Sequence, residues 1–266
     1  MISNFHTHTY LCKHAEGDIK DYLEQAKLDS CIALGFSDHC PLPQDNIDNW
    51  PEIRMTIEES YDYIKKIRQE AKNYDFPVFA GFECEWSVRY KNFYKDFLLD
   101  ELKVDYLAFG PHWVEHEGSF VYAPQFGDKK LLHIYTDSMI QAMESGLFSF
   151  VAHPDLAMAG WKTWEEEAKS CFGSIIDCAI ANNLPLEVNG QGMLKPMIKS
   201  EKGLRYQYPY DEFWLLAKEK GAKIIANSDA HLPENVIKGA LKAKEFAKNL
   251  GIEVCDTAKA LGFIRN

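Results

Sequence analysis

The chain begins Ile2-Ser3-Asn4-Phe5-His6-Thr7-His8, an apolar run that ends in two histidines separated by one residue. In a strand, residues i and i+2 point to the same side, so both imidazoles can reach one metal ion. The same order recurs six more times: an apolar, strand-like run is followed by a polar side chain, and nearly all of these can bind a metal. These later side chains are Asp38-His39, Glu83, His112, His153, Asn189 and Asp229-Ala230-His231. Ligands gathered from the same end of many parallel strands predict a metal site at the mouth of an α/β barrel.

The distribution of histidine supports this interpretation. Six of the nine histidines follow a predicted strand, and a seventh, His14, lies a few residues beyond the first strand. The alternative is a set of core or surface histidines bonded to backbone carbonyls. That alternative would have to explain seven coincidences of position, and we reject it.

Helical patterns separate the predicted strands along the whole chain. We expect helices at about Asp18–Leu28, Thr56–Tyr74, Lys91–Leu102, Lys129–Ser145, Trp164–Asn182, Asp211–Lys220 and Glu234–Leu250. Strands separated by helices of this length predict parallel β/α units, and seven units fit the count. Because no linker or low-complexity segment interrupts them, residues 1–266 are predicted to form a single domain.

Three segments depart from the alternation of strand and helix. Residues Val114–Phe126 are predicted to form an excursion or short hairpin over the barrel mouth. Residues Asn189–Pro209 form a long loop after the sixth strand, and a loop rich in Pro, Asp and Asn runs from Cys40 to about Ile53. Long loops at the ligand-bearing end of a barrel usually shape the substrate pocket.

Composition narrows the class of protein. The net charge of −11 disfavours a nucleic-acid partner, because binding a polyanion depends on Lys and Arg neutralising phosphates. A small anionic substrate stays possible, since bound cations reverse the local potential. No apolar run is long enough for a membrane span, and no signal peptide is evident. Seven cysteines without regular spacing favour a reducing cytoplasm.

The motifs around these side chains resemble the polymerase-and-histidinol-phosphatase (PHP) family over nearly the whole chain. They are F-H-T-H-T with C-K-H, G-F-S-D-H-C-P-L-P, G-F-E-C-E-W, G-P-H-W, A-H-P-D-L, L-E-V-N-G-Q-G-M-L-K-P and N-S-D-A-H. The resemblance implies a distorted, TIM-like (β/α)7 barrel that carries three divalent transition-metal ions. Imidazole and carboxylate ligands suit Zn²⁺, Mn²⁺ or Fe²⁺.

The resemblance also implies a role for each ligand. The first ion would be held by His6, His8, Glu83 and Asp229; the second by Glu83, His112 and His153; and the third by His14, His39 and His231. A metal-bridging hydroxide would attack phosphorus, and Asp229, His39 or His153 would transfer protons. Asp38, which precedes His39, is predicted to orient an imidazole.

Within the family, the segments near the second strand and N-G-Q-G-M-L-K-P resemble the histidinol-phosphatase branch. This implies hydrolysis of a small phosphate monoester, with L-histidinol phosphate as the first candidate and L-histidinol and phosphate as products. Arginines common in that branch are absent here: residues 154–162 hold none, and Leu194 precedes the Lys-Pro pair. We therefore expect Lys195 and Arg205 to bind the phosphate, with Glu85 and Asn189 also contacting the substrate, and Lys199 and Lys202 to be solvated.

Several alternatives stay open at this point. The substrate could be another small phosphorylated metabolite, and an amidohydrolase-like metal hydrolase also begins with His-x-His, although no Lys follows the expected central strand. A nuclease and a non-catalytic metal-binding protein are less consistent with the charge and the complete ligand set. Trp86, Trp113 and Trp161 could line the site or pack in the barrel. Cys12 and Cys40 could be thiolate ligands, although a cysteine is more often a small buried residue.

Overall fold

The computed structural model describes residues 2–43, 50, 52–200 and 203–264. The eleven strands of the described residues are β1 (Ile2–Asn4), β2 (Cys31–His39), β3 (Val78–Cys84), β4 (Tyr106–Phe109), β5 (Trp113–His116), β6 (Ser119–Tyr122), β7 (Phe150–Val151), β8 (Leu186–Asn189), β9 (Ile198–Ser200), β10 (Gly203–Arg205) and β11 (Ile224–Asn227). Seven of them are parallel and form one sheet in the order β1-β2-β3-β4-β7-β8-β11. The predicted seven-stranded α/β barrel is confirmed.

Helices surround the sheet. The described α-helices are α1 (Ile19–Leu28), α2 (Ile57–Glu70), α3 (Lys129–Glu144), α4 (Glu166–Ala181), α5 (Asp211–Lys220), α6 (Lys238–Asn249) and α7 (Thr257–Ala260). Asp18 and Thr56 cap α1 and α2 through complete capping boxes, which explains why these helices begin where the sequence predicted. None of the helices in the described ranges is long and apolar enough to cross a bilayer.

The barrel closes where its first strand, β1, meets its last strand, β11. Thr7, just after β1, pairs in parallel with Ala230, just after β11. The His8 amide donates to the Ala230 carbonyl at 2.9 Å, and the Ala230 amide donates to the His6 carbonyl at 3.2 Å. This seam therefore lies directly beside the two N-terminal histidines.

Two buried asparagines reinforce the seam. Asn4 Oδ1 accepts from the Ser228 amide at 2.8 Å, and Asn227 Oδ1 accepts from the Phe5 amide at 2.9 Å. Each amide side chain thus supplies a hydrogen bond that the short strands β1 and β11 do not make through their backbones. Closure of the barrel depends on side-chain acceptors as well as on the ladder.

Aromatic side chains fill the interior at the end where the strands begin. Phe263, which follows α7, stacks on Phe5 at a centroid distance of 5.4 Å and contacts Phe79 at 4.3 Å. The hydroxyl of Tyr106 donates to the carbonyls of Phe5 and Phe36, both at 2.9 Å. This apolar layer separates the polar barrel mouth from the opposite end.

The segments that interrupt the alternation differ in part from the predictions. Strands β5 and β6 form the hairpin expected within Val114–Phe126. The loop Asn189–Pro209 also contains a hairpin, β9–β10, which the sequence analysis did not predict. The expected helix Lys91–Leu102 is a π-helix over Phe93–Glu101, and the last predicted helix is divided into a 3-10 turn, Pro233–Asn235, and α6. Part of the loop Cys40–Ile53, and Lys202, lie outside the described residues.

Replacing Asn4 with Ala should destabilise the barrel, because the Ser228 amide would lose its acceptor in a buried place. We expect the free energy of unfolding to fall by ~1–3 kcal/mol in a denaturant titration. Asn249→Ala, at the exposed end of α6, is the matched control and should change it by less than ~0.5 kcal/mol. Equal effects of the two substitutions would contradict a structural role for the seam.

Candidate metal centre

Glu83, the second-to-last residue of strand β3, lies at the centre of a cluster of imidazoles and is 1% exposed. Its Oε2 lies 3.3–3.4 Å from nitrogens of three histidines, and its Oε1 lies 2.9 and 3.5 Å from nitrogens of two others. These imidazoles belong to His6, His8 and His39 on Oε2, and to His153 and His112 on Oε1. The two oxygens of one carboxylate therefore face two different groups of ligands.

Asp229 completes the group on the Oε2 side. Its Oδ1 lies 3.1 Å from His8 Nε2 and 3.5 Å from His6 Nε2. Asp229 has a φ of 54° and His153 a φ of 28°, values that side-chain-bearing residues seldom adopt. Such conformations cost free energy and persist where the surroundings impose them, commonly at functional sites. Both residues lie two positions after the end of a strand, so the strain accompanies the sharp turn that aims their side chains inward.

The remaining predicted ligands lie next to this group. His14 and His231 approach each other with their Nε2 atoms 3.1 Å apart, and the His8 and His231 ring centroids are 4.3 Å apart. The structure thus brings all nine predicted ligands, from six strands and their following loops, into one cluster.

The donor set fits a metal centre by an independent criterion. Buried polar atoms in proteins nearly always have hydrogen-bond partners. Five buried atoms in this cluster have none: His8 Nδ1, His39 Nδ1, His112 Nδ1, His153 Nδ1 and Asp229 Oδ1. Several unpartnered buried atoms in one place are expected where these atoms, or the other nitrogens of the same rings, bind a ligand that is not part of the protein.

Electrostatics of the cluster couple protons to metal binding. Burial alone would raise the pKa of Glu83, but His112 and His6 outweigh it and hold that pKa well below its usual range. Burial and the neighbouring His8 lower the pKa of His231 to about 3. Burial likewise lowers the pKa of His39 and of His153. Burial would lower the pKa values of His6, His8 and His112 as well, but neighbouring carboxylates outweigh it and raise them. Because imidazoles coordinate a cation in their neutral form, binding an ion there would release protons.

A buried carboxylate that sequence analysis did not assign orients the first histidine. Both oxygens of Glu187 lie 3.0 Å from His6 Nδ1, so the opposite nitrogen, Nε2, faces Glu83 and Asp229. Burial raises the pKa of Glu187 to about 7. A carboxylate behind a metal-binding imidazole fixes its tautomer. The signal was present in L-E-V-N, because a Glu within an otherwise apolar strand needs a buried partner.

Asn189 has a different position from the one predicted. It does not line the cavity: its Nδ2 donates to Glu187 Oε1 at 3.2 Å and to Asp229 Oδ2 at 3.1 Å. Its Oδ1 accepts from the Gln191 amide. Because every polar atom of its side chain has a protein partner, Asn189 connects the two carboxylates instead of facing the cavity.

Asp38 behaves broadly as predicted, although its neighbour is a different imidazole. Its Oδ2 accepts from the Thr9 amide at 2.9 Å and from the Thr9 hydroxyl. Its Oδ1 accepts from the His39 amide and lies 3.6 Å from His8 Nδ1. Asp38 therefore connects the β1 and β2 ligand segments and faces His8 more closely than the ring of His39.

Gly110 leaves room for the central carboxylate. A Cβ at this position would come within 2.5 Å of Glu83 Oε1 and 2.7 Å of the His112 ring. Any larger residue would displace this carboxylate oxygen. The glycine of G-P-H-W is therefore required by close approach.

The cluster opens into a cavity of about 320 Å³. Its lining includes His8, His14, His39, Glu83, Glu85, His112, Trp113, Tyr122, His153, Gln191, Lys195, Tyr208, Asp229 and His231. Lys195 lies with its Nζ 5.2 Å from the Tyr208 ring centroid, and Lys199 is exposed on β9. Among the lining residues, Lys195 is the one that carries a fixed positive charge.

Arg205 does not reach this cavity, contrary to prediction. Strand β10 directs its guanidinium to the carbonyls of Met158, Tyr206 and Gln207, at 2.6–3.0 Å, and onto the ring of Tyr210. Sequence proximity to Lys195 suggested a shared pocket, but the unpredicted β9–β10 hairpin turns the chain away. Arg205 is a structural residue of the loop.

A second cavity of about 340 Å³ adjoins the first and shares Glu85 and Trp113 with it. Trp86 lines this second cavity, whereas Trp161 is buried and donates to Glu165. Glu85 forms a buried ion pair with Arg54 at 3.2 Å. Burial opposes ionisation of Glu85, but Arg54 outweighs it and lowers the pKa to about 2.

Comparison with known proteins agrees with this geometry. The profile of the PHP domain matches residues 4–191. The chain belongs to the PHP family, and the family resemblance predicted from the sequence is confirmed.

Individual relatives are similar over most of their length. A probable histidinol-phosphatase of Deinococcus radiodurans is 27% identical, with 88% of each chain covered. The probable phosphatase YcdX of Escherichia coli is 24% identical and covers 86% of this chain and 78% of its own. The crystal structure of a Lactococcus lactis histidinol phosphate phosphatase, complexed with Zn, L-histidinol and phosphate, aligns with a TM-score of 0.70, 15% identity and 95% coverage of both chains. These similarities support the predicted class, a metal-dependent phosphatase.

Substituting Arg54 by Met should destabilise the protein strongly, because the buried carboxylate of Glu85 would lose its guanidinium partner and keep the weaker contact with the His112 imidazole, 3.4 Å away. We expect a loss of ~3–5 kcal/mol in the free energy of unfolding. The double variant Arg54→Met/Glu85→Gln should recover part of it. Arg89→Met, which removes the exposed pair with Glu115, should cost at most ~1 kcal/mol. A double variant as unstable as the single one would contradict this interpretation of the pair.

Proposed function

We propose that the chain is a metal-dependent phosphoesterase that hydrolyses a small phosphate monoester, with L-histidinol phosphate as the first candidate. The observation that carries the proposal is the central carboxylate, Glu83, whose two oxygens face separate groups of imidazoles in one cavity. A shared carboxylate of this kind suits two cations held close together, as phosphoesterases use.

Three divalent ions, Zn²⁺, Mn²⁺ or Fe²⁺, would occupy the cluster. His6, His8, Glu83 and Asp229 would hold the first, Glu83, His112 and His153 the second, and His14, His39 and His231 the third. Bound cations supply Lewis acidity, which neutralises phosphate charge and lowers the pKa of the attacking water. The predominantly acidic protein requires such cations to accept a phosphate dianion.

The protein's own residues assist in distinct ways. Lys195, on the cavity wall, would pair with a phosphate oxygen that the cations leave exposed. Asp229, whose Oδ1 has no hydrogen-bond partner, can accept a proton from the attacking water. His39 and His153 have lowered pKa values and are neutral near pH 7, so they suit ligation better than the proton donation first expected of them.

The second cavity supports a substrate with a compact organic group. Rings of Trp50, Trp86, Trp113 and Phe120 line it together with the carboxylates of Glu85, Glu115 and Asp137. Aromatic faces and acidic groups suit a planar or cationic leaving alcohol, and histidinol carries both an imidazole and an amine. The histidinol-phosphatase names of the relatives favour the same substrate, while another small phosphorylated metabolite is the second candidate.

Metal content and ligand variants test the proposed chemistry. We expect about three ions per chain in elemental analysis of protein reconstituted with Zn²⁺ or Mn²⁺. Glu83→Gln should lower kcat for phosphate monoesters by orders of magnitude, because it removes one of the two negative charges that would hold the first two ions. His133→Ala, at an exposed position on α3, should leave kcat within a few-fold. Activity lost equally in both variants, or one ion or fewer after reconstitution, would contradict the assignment.

Recognition of phosphate is tested by a pair of lysines. Lys195→Ala should reduce kcat/KM for L-histidinol phosphate about ten- to hundredfold, the loss of one charged contact worth roughly 1.5–3 kcal/mol. Metal content should stay unchanged. Lys199→Ala, on the exposed strand β9, is the matched control and should keep kcat/KM unchanged. Identical kinetics of the two variants would show that the cations alone bind the phosphate.

A further inference from the structure

His14 and His231 form a pair in which both ring tautomers are determined. His14 Nδ1 lies 2.7 Å from the carbonyl of Cys12, and His231 Nδ1 lies 3.0 Å from the carbonyl of Asp229. Because a carbonyl only accepts, each Nδ1 carries the hydrogen, and each Nε2 of a neutral ring presents a lone pair. The two Nε2 atoms face each other at 3.1 Å. Two lone pairs at this distance repel each other, so either one ring carries a second proton or a metal cation lies between or beside the two nitrogens.

A third donor lies within reach of both rings. Cys12 is fully buried, and its Sγ and the ligand atoms of His14 and His231 all lie within 4.8 Å of one another. A 3-10 turn over Tyr10–Cys12, capped by Thr9, and a left-handed Lys13 fold this segment back on itself. Cys12 therefore acts twice: its carbonyl orients His14, and its sulfur points to the same place as the histidine nitrogens.

Other buried cysteines show what a packing role looks like. The thiol of Cys31, at the start of β2, donates to the Ala33 carbonyl at 3.1 Å. Cys12 instead has imidazoles and the Asp38 carboxylate around it: a second group of potential ligand atoms combines Cys12 with His8 and Asp38. Potential metal ligands therefore lie close to this sulfur.

We propose that Cys12 Sγ is a ligand of the ion held by His14 and His231, bound as a thiolate. The proposal rests on the metal centre of the proposed function and extends it by one donor. On binding, the thiol loses its proton to solvent and a sulfur–metal bond forms, with no change of oxidation state. The first two ions would have nitrogen and oxygen donors, whereas this one has nitrogen and sulfur.

The donor type determines which metal this position prefers. Thiolate is a soft ligand that favours Zn²⁺, and also Co²⁺, over Mn²⁺ and Mg²⁺. Carboxylate-rich positions discriminate less against Mn²⁺. A chain loaded with a mixture of Zn²⁺ and Mn²⁺ is therefore expected to place Zn²⁺ at the position of Cys12.

Cobalt reports the sulfur bond directly, without an activity assay. Co²⁺-reconstituted wild-type protein should show a thiolate-to-cobalt charge-transfer band in the near ultraviolet, in addition to the visible bands of cobalt bound to nitrogen and oxygen. The Cys31→Ala variant should keep this band, and Cys12→Ala should lose it and bind about one cobalt fewer per chain. A wild-type spectrum without the band at full cobalt loading, or a band that survives in Cys12→Ala, would overturn the proposal.

X-ray absorption at the zinc edge gives a second test that needs no variant. Zinc-loaded wild-type protein should show a sulfur neighbour at ~2.3 Å, the usual Zn–S distance. A shell of nitrogen and oxygen alone would overturn the role of Cys12 while leaving the metal centre intact. Failure to bind zinc or cobalt at all would overturn the proposed function as well, so the two failures are distinguishable.

Discussion

The need to neutralise two buried carboxylates determines the arrangement of the barrel mouth. Glu83 and Asp229 are 1% and 5% exposed, and an isolated buried charge is prohibitively unfavourable. Imidazoles from the ends of several strands surround them, and Glu187 and Asn189 hold the surroundings in place. The strained turns at His153 and Asp229, and the glycine at position 110, follow from the same requirement, since each brings a ligand or makes space for one.

The sequence was most informative where a local rule determines geometry. Parallel strands place their carboxyl ends at one edge, so a histidine or acid after each apolar run could be assigned to a common site without coordinates. The starts of helices α1 and α2 were equally predictable, because Asp18 and Thr56 are residue types that commonly cap the first turn of a helix. The seven-stranded barrel and the gathering of His6, Glu83 and Asp229 both follow from these rules.

Predictions failed where a contact depends on the path of a loop. Arg205 and Lys195 are ten residues apart in one segment, yet the β9–β10 hairpin sends only Lys195 to the cavity. Asn189 occupies a strand end as expected, but whether an amide there contacts a substrate or a neighbouring carboxylate depends on Glu187, two residues earlier. The ion pair of Arg54 with Glu85 joins residues whose sequence surroundings carry no periodic signal. Long-range pairing of this kind is not encoded in local patterns.

Because the seam between β1 and β11 lies beside the cluster, ions bound there would connect the first and last strands of the sheet. His6 and His8 follow β1, whereas Asp229 and His231 follow β11, so a piece of the chain that stops before Asp229 lacks part of the cluster. During synthesis, His6 and His8 can contact Asp229 only after more than 200 further residues have been made, and contacts of such sequence separation form slowly. Ions that bind both ends would act as a reversible cross-link, holding the ring shut much as a disulfide closes a long loop. Removing them would therefore weaken the barrel first at the junction between its first and last strands, β1 and β11.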